Sequence, residues 1–154
     1  MTVVVRGASD ADVFATIHRA AFASAAWSAT MIAESLAAGA RGYLAAGNAD
    51  DPPSGVALAR FAGEEAEILT IGVEPAVRRR GLARALMRAA CDDGRTAGAT
   101  EMLLEVAEDN AEARALYAAL EFRQVGARPF YYKRGRLMSV DALILRRSLS
   151  EPAK

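Results

Sequence analysis

Residues 68–84 run Ile-Leu-Thr-Ile-Gly-Val, Glu-Pro-Ala-Val, then Arg78, Arg79, Arg80, Gly81, Leu82, Ala83 and Arg84, joining an apolar strand-like run to the start of a helical pattern through a basic turn. Main-chain N–H groups at a helix start have no intrahelical acceptor, and the helix dipole is positive there. Small residues at Gly81 and Ala83 let an anion approach the backbone, and arginine adds charge and paired donors. The chemistry suited to such a turn is binding of a diphosphate. An arginine-rich turn before a helix is also what a solvated surface looks like, so the turn alone leaves both readings open.

Further along, Glu105 stands in a short run whose neighbours Leu103, Leu104 and Val106 are apolar. A carboxyl desolvated in that way is a candidate general base, and an ordinary carboxylate on the wet face of a strand is the alternative. Asn110 precedes a helical stretch and suits an N-cap, its side-chain oxygen accepting an orphan N–H. Tyr117 falls on that helix among leucines, where a tyrosine is commonly a core residue with a satisfied hydroxyl. Tyr131 and Tyr132 are adjacent on a strand-like run, which puts one ring on each face. His18 has no partner at triad spacing, Cys91 is the sole cysteine, and no spacing suggests a metal site.

These groups need elements to hold them. Residues 2–6 read as a strand followed by a helix N-cap at Ser9-Asp10; a helix carrying Val13, Phe14 and Ile17 follows, with a second from about Ser28. Runs 41–46, 55–62 and 66–73 read as an antiparallel meander. Leu82, Ala85, Leu86, Ala89 and Ala90 form the stripe of the longest helix, ending near Gly98. A strand over 102–107, a helix over 110–120 and two strand-like runs around Gly135 complete the chain. The order predicts one α+β domain over 1–154, with helices on both sides of a mostly antiparallel mixed sheet.

The composition bounds the rest. The 154 residues suffice for one core without a staple, and 53% are hydrophobic and 25% charged, the balance of a globular protein. With 19 basic and 19 acidic residues there is no net field to favour nucleic acid or a membrane surface. No apolar run is long enough to span a bilayer and no leader pattern stands at the N-terminus, so the expectation is a soluble, cytoplasmic protein, a monomer or weak dimer.

Arg78-x-x-Gly81-x-Ala83 after the apolar strand resembles the acetyl-CoA pyrophosphate loop of the GNAT acetyltransferases. The resemblance continues through Leu104-Glu105-Val106, Asn110, Ala115-Leu116-Tyr117 and Leu120-Glu121-Phe122. It is closest to the RimI-type branch, the ribosomal-protein-alanine N-acetyltransferases, through Ala21-Phe22, Trp27-Ser28, Thr70-Ile71, Tyr131-Tyr132 and the run 141–145.

The resemblance implies the GNAT fold, six to seven strands with about four helices, splayed between the fourth and fifth strands. It implies acetyl-CoA as cosubstrate, bound by the backbone of Ile71, Gly72 and Val73, by Arg78 to Arg84 and by Asn110, with no metal. Glu105 becomes the base, Tyr117 the proton donor to the leaving thiolate, and Tyr131 and Tyr132 the acceptor channel. The acceptor implied is a primary amine, foremost a protein N-terminus. A small-molecule amine, a lysine side chain and a non-catalytic acyl-CoA-binding module are the alternatives. The chain departs from the branch at Glu121, where glycine is common, and at Ala107, where arginine is frequent.

Overall fold

The computed structural model describes residues 1–150. Its strands are β1 (Thr2–Arg6), β2 (Arg41–Ala46), β3 (Gly55–Ala62), β4 (Glu65–Val73), β5 (Glu101–Ala107), β6 (Arg123–Arg134) and β7 (Met138–Ser148); its helices are α1 (Ala11–Phe22), α2 (Ala29–Ala37), α3 (Leu82–Thr96) and α4 (Ala111–Ala119). All seven strands form one sheet in the order β1-β2-β3-β4-β5-β7-β6. Every pair is antiparallel except β4 with β5.

Residue parity divides the core between two faces, as the two-residue period of a strand requires. Leu44, Val56 and Leu58 turn to one face and pack with Phe14, Ile17 and Ile32 of α1 and α2. Their neighbours Tyr43, Ala45, Ala57 and Ala59 turn to the other, against Leu82, Leu86, Met87 and Ala90 of α3 and Tyr117 of α4. Three of those four sheet residues are alanines, so α3 lies close over the strands.

The parallel pair is short. It joins Glu65, Ala66 and Glu67 to Glu101, Met102 and Leu103 and then stops. The cause lies on the other edge of β4: Thr70 pairs with Leu58 and Ile68 with Ala59, which leaves Leu69 as an extra residue. A bulge bends its strand and raises the local twist, and here it carries the second half of β4 away from β5. The splay implied by the family pattern is therefore present, and it opens toward Val73 on one side and Ala107 on the other.

Helix starts follow the caps in two cases and depart from them in one. Ser28 accepts the Met31 N–H at 3.2 Å, and Asn110 accepts the Ala113 N–H at 3.1 Å. Asp10 occupies the N-cap of α1 without capping it; a 3-10 turn over Ala8–Asp10 leads into the helix, and the Asp10 carboxylate faces Arg6 at 3.9 Å instead.

The end of α4 resolves what happens without a glycine. Glu121 adopts φ 70°, in the left-handed region. The Phe122 N–H donates to the Tyr117 carbonyl at 3.0 Å and the Glu121 N–H to the Ala118 carbonyl at 3.1 Å, a Schellman closure with a carboxylate residue in the glycine position. Among the described residues no helix is long and apolar enough to cross a membrane, and no cluster of His, Cys, Asp or Glu is arranged to hold a metal.

Candidate active site

A cleft of about 1030 Å³ opens beside the second half of β4, walled by the β4 end, the loop into α3, the first turn of α3 and the exposed flank of α4. Ile71, Gly72, Val73, Arg78, Arg79, Gly81, Leu82, Ala83, Arg84, Asn110 and Tyr117 all line it. Residues of β4, α3 and α4 and of the loop between β4 and α3 are thus brought to one surface.

The loop is shaped by two left-handed residues, Arg79 at φ 63° and Gly81 at φ 88°. Gly81 fills the N-cap of α3, its carbonyl accepting the Ala85 N–H at 3.0 Å. From Arg79 to Arg84 no main-chain N–H has a protein acceptor among the described residues. Those donors, at the positive end of a fifteen-residue helix, are free to receive an anion.

The arginines divide their tasks. Arg78 donates from Nε to the Val73 carbonyl and from Nη2 to the Ala21 carbonyl, both at 3.1 Å. It therefore ties the loop to β4 and α1, and only part of its guanidinium is left for the cleft. Arg80 does not reach the wall; the two left-handed residues flanking it reverse the chain so that its side chain is exposed outside the cleft.

Gly72 is required by what lies over it. A Cβ there would come within 2.5 Å of the Phe22 ring, so the bare backbone admits Phe22 to the cleft wall. Behind it His18 is buried, and its ring stacks 4.3 Å from Phe22. The Trp27 N–H donates to Nδ1 at 3.0 Å, which leaves the ring proton on Nε2, 2.9 Å from the Thr70 hydroxyl. Burial lowers the His18 pKa to about 4, so the ring is neutral and braces α1, the following loop and β4.

Tyr117 is 7% exposed with its ring against Phe122. Its hydroxyl makes no hydrogen bond within the described residues and is not among the buried orphaned atoms, so the oxygen reaches the cleft. Burial, with a smaller effect of Tyr132, raises its pKa to about 12. The phenol is therefore protonated at neutral pH.

Glu105 is not placed as its sequence neighbours suggest. Leu104 and Val106 alternate to the α3 side, while Glu105 turns to the other face, partly exposed and 3.2 Å from Arg128 Nε. Glu105 and Tyr117 thus approach the wedge between β4 and β5 from opposite faces of the sheet. Tyr132 is near enough to feel one and act on the other: desolvation first, and then the Glu105 charge, raise its pKa, and it adds to the rise at Tyr117. Tyr131 is 52% exposed, in edge-to-face contact with Tyr132 at 5.1 Å and under the Arg128 guanidinium. Neither tyrosine belongs to the wall of the main cleft; alternation gives one inner and one outer ring.

Sequence reasoning missed Arg128, and also the clamp in which Arg134 donates to both carboxylate oxygens of Asp109 at 2.7 and 2.8 Å. That clamp fastens the β6–β7 hairpin to the turn before Asn110. Nothing in local spacing announces a pair separated by 25 positions.

A model of the Acetyltransferase (GNAT) family matches residues 12–122. The N-alpha-acetyltransferase RimI of Mycobacterium tuberculosis is 40% identical over 89 residues, 58% of this chain and 52% of that protein. The ribosomal protein bS18-alanine N-acetyltransferase of Salmonella typhimurium is 38% identical over 84 residues, 54% of this chain and 57% of the relative. The matches thus span about half the length of these curated relatives. In structure, the ribosomal-protein-S18-alanine N-acetyltransferase of Escherichia coli superposes with a TM-score of 0.86 at 27% identity, covering 99% of this chain and 96% of that one.

Proposed function

The chain belongs to the Acetyltransferase (GNAT) family, and from that premise we propose that it transfers the acetyl group of acetyl-coenzyme A to a primary amine, the α-amine at the N-terminus of a protein. The observation that carries the reading is the run of unpartnered N–H donors around Gly81, opening into a cleft that leads to the wedge between β4 and β5. The donors and the left-handed Gly81 fit a diphosphate. The β4 edge freed by the splay fits an extended arm carrying amides, as an added strand would.

The chemistry follows from what surrounds the wedge. Amide formation needs a neutral amine, a polarised carbonyl and a proton for the departing thiolate. Glu105 takes the proton of the acceptor's ammonium group, and the amine lone pair forms the new C–N bond. The backbone of Ile71 and Val73 aligns the thioester and polarises its carbonyl. As the C–S bond breaks, the Tyr117 phenol donates its proton to sulfur. The nitrogen, made acidic by its new bond to the carbonyl carbon, sheds its extra proton, which through solvent restores the phenol, and Glu105 releases its own proton to solvent. The two protonic groups work from opposite faces, so acceptor and cosubstrate enter separately and meet in the sheet.

The test is a panel of N-terminal peptides and free amines with labelled acetyl-CoA, headed by a peptide from ribosomal protein bS18, the protein named in one relative. Label on the peptides' α-amines is the expected result. Label on small amines alone would overturn the peptide acceptor, and absence of both turnover and acetyl-CoA binding would overturn the whole reading.

A further inference from the structure

Beyond the cleft, the groove between α3 and α4 continues into a second hollow of about 210 Å³, lined by Arg84, Arg88, Arg95, Arg147, Cys91 and Glu121, with Asp92 at its edge. Arg84 lines both spaces, so they are adjoining compartments. The α3 residues recur at helical spacing and present one stripe. Asp92 pairs with Arg95 at 2.8 Å. Among the described residues, Arg84, Arg88 and Arg147 have neither an ion pair nor a side-chain hydrogen bond, and Glu121 is the only other carboxylate on the wall.

Two further observations bear on what the hollow suits. Arg147 is only partly exposed and has no ion pair or side-chain hydrogen bond among the described residues, so its guanidinium is left to face the hollow. Arg95 Nη2 is buried with no hydrogen-bond partner, although Nε is satisfied by the Leu149 carbonyl at 3.1 Å. The hollow is too polar and too small for an apolar chain, and its excess of guanidinium groups suits a phosphate monoester, which accepts several charge-assisted bonds at once.

We propose that this hollow receives the 3′-phosphate on the ribose of coenzyme A, with Arg88 and Arg147 as its principal ligands and Arg84 between it and the diphosphate. The proposal rests on the acetyl-CoA reading of the neighbouring cleft. Arg84 and Arg88 stand about 5 and about 10 Å along the helix axis from Gly81, a separation that one furanose ring between a diphosphate and a monoester can bridge. The tail of the cosubstrate then lies along α3 while its thioester points to the wedge. Discrimination between the full cofactor and its dephosphorylated form is built into α3 and β7 rather than into the family loop.

Calorimetry with coenzyme A and with 3′-dephospho-coenzyme A tests this on the native chain and on the Arg88→Gln, Arg147→Gln double variant. The native chain should bind coenzyme A at least tenfold more tightly than the dephospho form. The double variant should bring the two within about twofold of each other, with its affinity for the dephospho form unaltered, which also reports that it is folded. Equal native affinities would overturn this inference and leave the cleft reading standing. So would a variant that weakens both ligands alike. If neither ligand binds the native chain, the cleft reading and this inference fail together.

Discussion

Acidification should destabilise this protein through His18, and the effect can be worked from its surroundings. In the unfolded chain the ring titrates near its ordinary pKa of 6.5, whereas burial lowers it to about 4 in the folded chain. Between those values the unfolded state binds more protons, so stability rises with pH across that window. The contribution is fully present above pH 6.5 and is lost as pH falls toward 4. From these two values the loss is about 2 kcal/mol by pH 5 and about 3 kcal/mol by pH 4. A domain of this size has only about 5–15 kcal/mol in all.

Geometry points the same way as electrostatics. A proton on Nδ1 would remove the acceptor of the Trp27 N–H and release the loop that places Phe22 against Gly72. Urea unfolding at pH steps from 7.5 to 4.5 measures the slope. His18→Gln should be less stable at neutral pH, through lost packing and hydrogen bonds, and should show a shallower acid slope, because its side chain does not titrate. Identical slopes for the native and substituted chains would refute the assignment of the acid sensitivity to His18.

Glu105→Gln should lower the acetylation rate at neutral pH by about 10²- to 10⁴-fold, the range for loss of a positioned base, with acetyl-CoA affinity nearly unchanged and partial recovery at high pH; steady-state kinetics with calorimetry separates the two. Gly81→Glu forces a left-handed side-chain residue at φ 88° and sets a carboxylate against the diphosphate, so coenzyme A affinity should fall about a hundredfold, while unaltered binding would argue against the loop. Glu121→Gly should relieve about 1–2 kcal/mol of left-handed strain against about 0.5–1 kcal/mol of added chain entropy. A rise in melting temperature of about 1–4 °C is the expected balance, and a fall would show that the Glu121 side chain makes a compensating contact.

The elements were legible because each carries its own local signal. The stripe from Leu82 to Ala90 predicts α3, the meander residues fix β2 and β3, and Ser28 and Asn110 cap where a cap is needed. The left-handed turn into α3 was also readable, since glycine after three arginines at a helix start has a physical meaning in isolation. What escaped the sequence is what depends on pairing across the sheet. The expected desolvation of Glu105 ignored strand alternation, which sends Leu104 and Val106 to the opposite face, and the partner it does have, Arg128, lies two strands away on β6. Likewise Arg78 looked like a free anion ligand because nothing local shows that Val73 and Ala21 offer it carbonyls. The Leu69 bulge has no sequence signature at all, and the open wedge is its outcome.

That wedge leaves strand edges facing one another in the middle of a sheet, where most proteins permit them only at the rim and then blunt them. Here α1 packs on one side of β4 and α3 on the other, so the gap best accepts something slender enough to lie along the strand as a thread. Selection at the slot is therefore by girth and amide content before it is by residue identity. An occupant that completes the ladder would bind the folded chain alone, and the amides beyond Leu69 would exchange their hydrogens more slowly once it is seated.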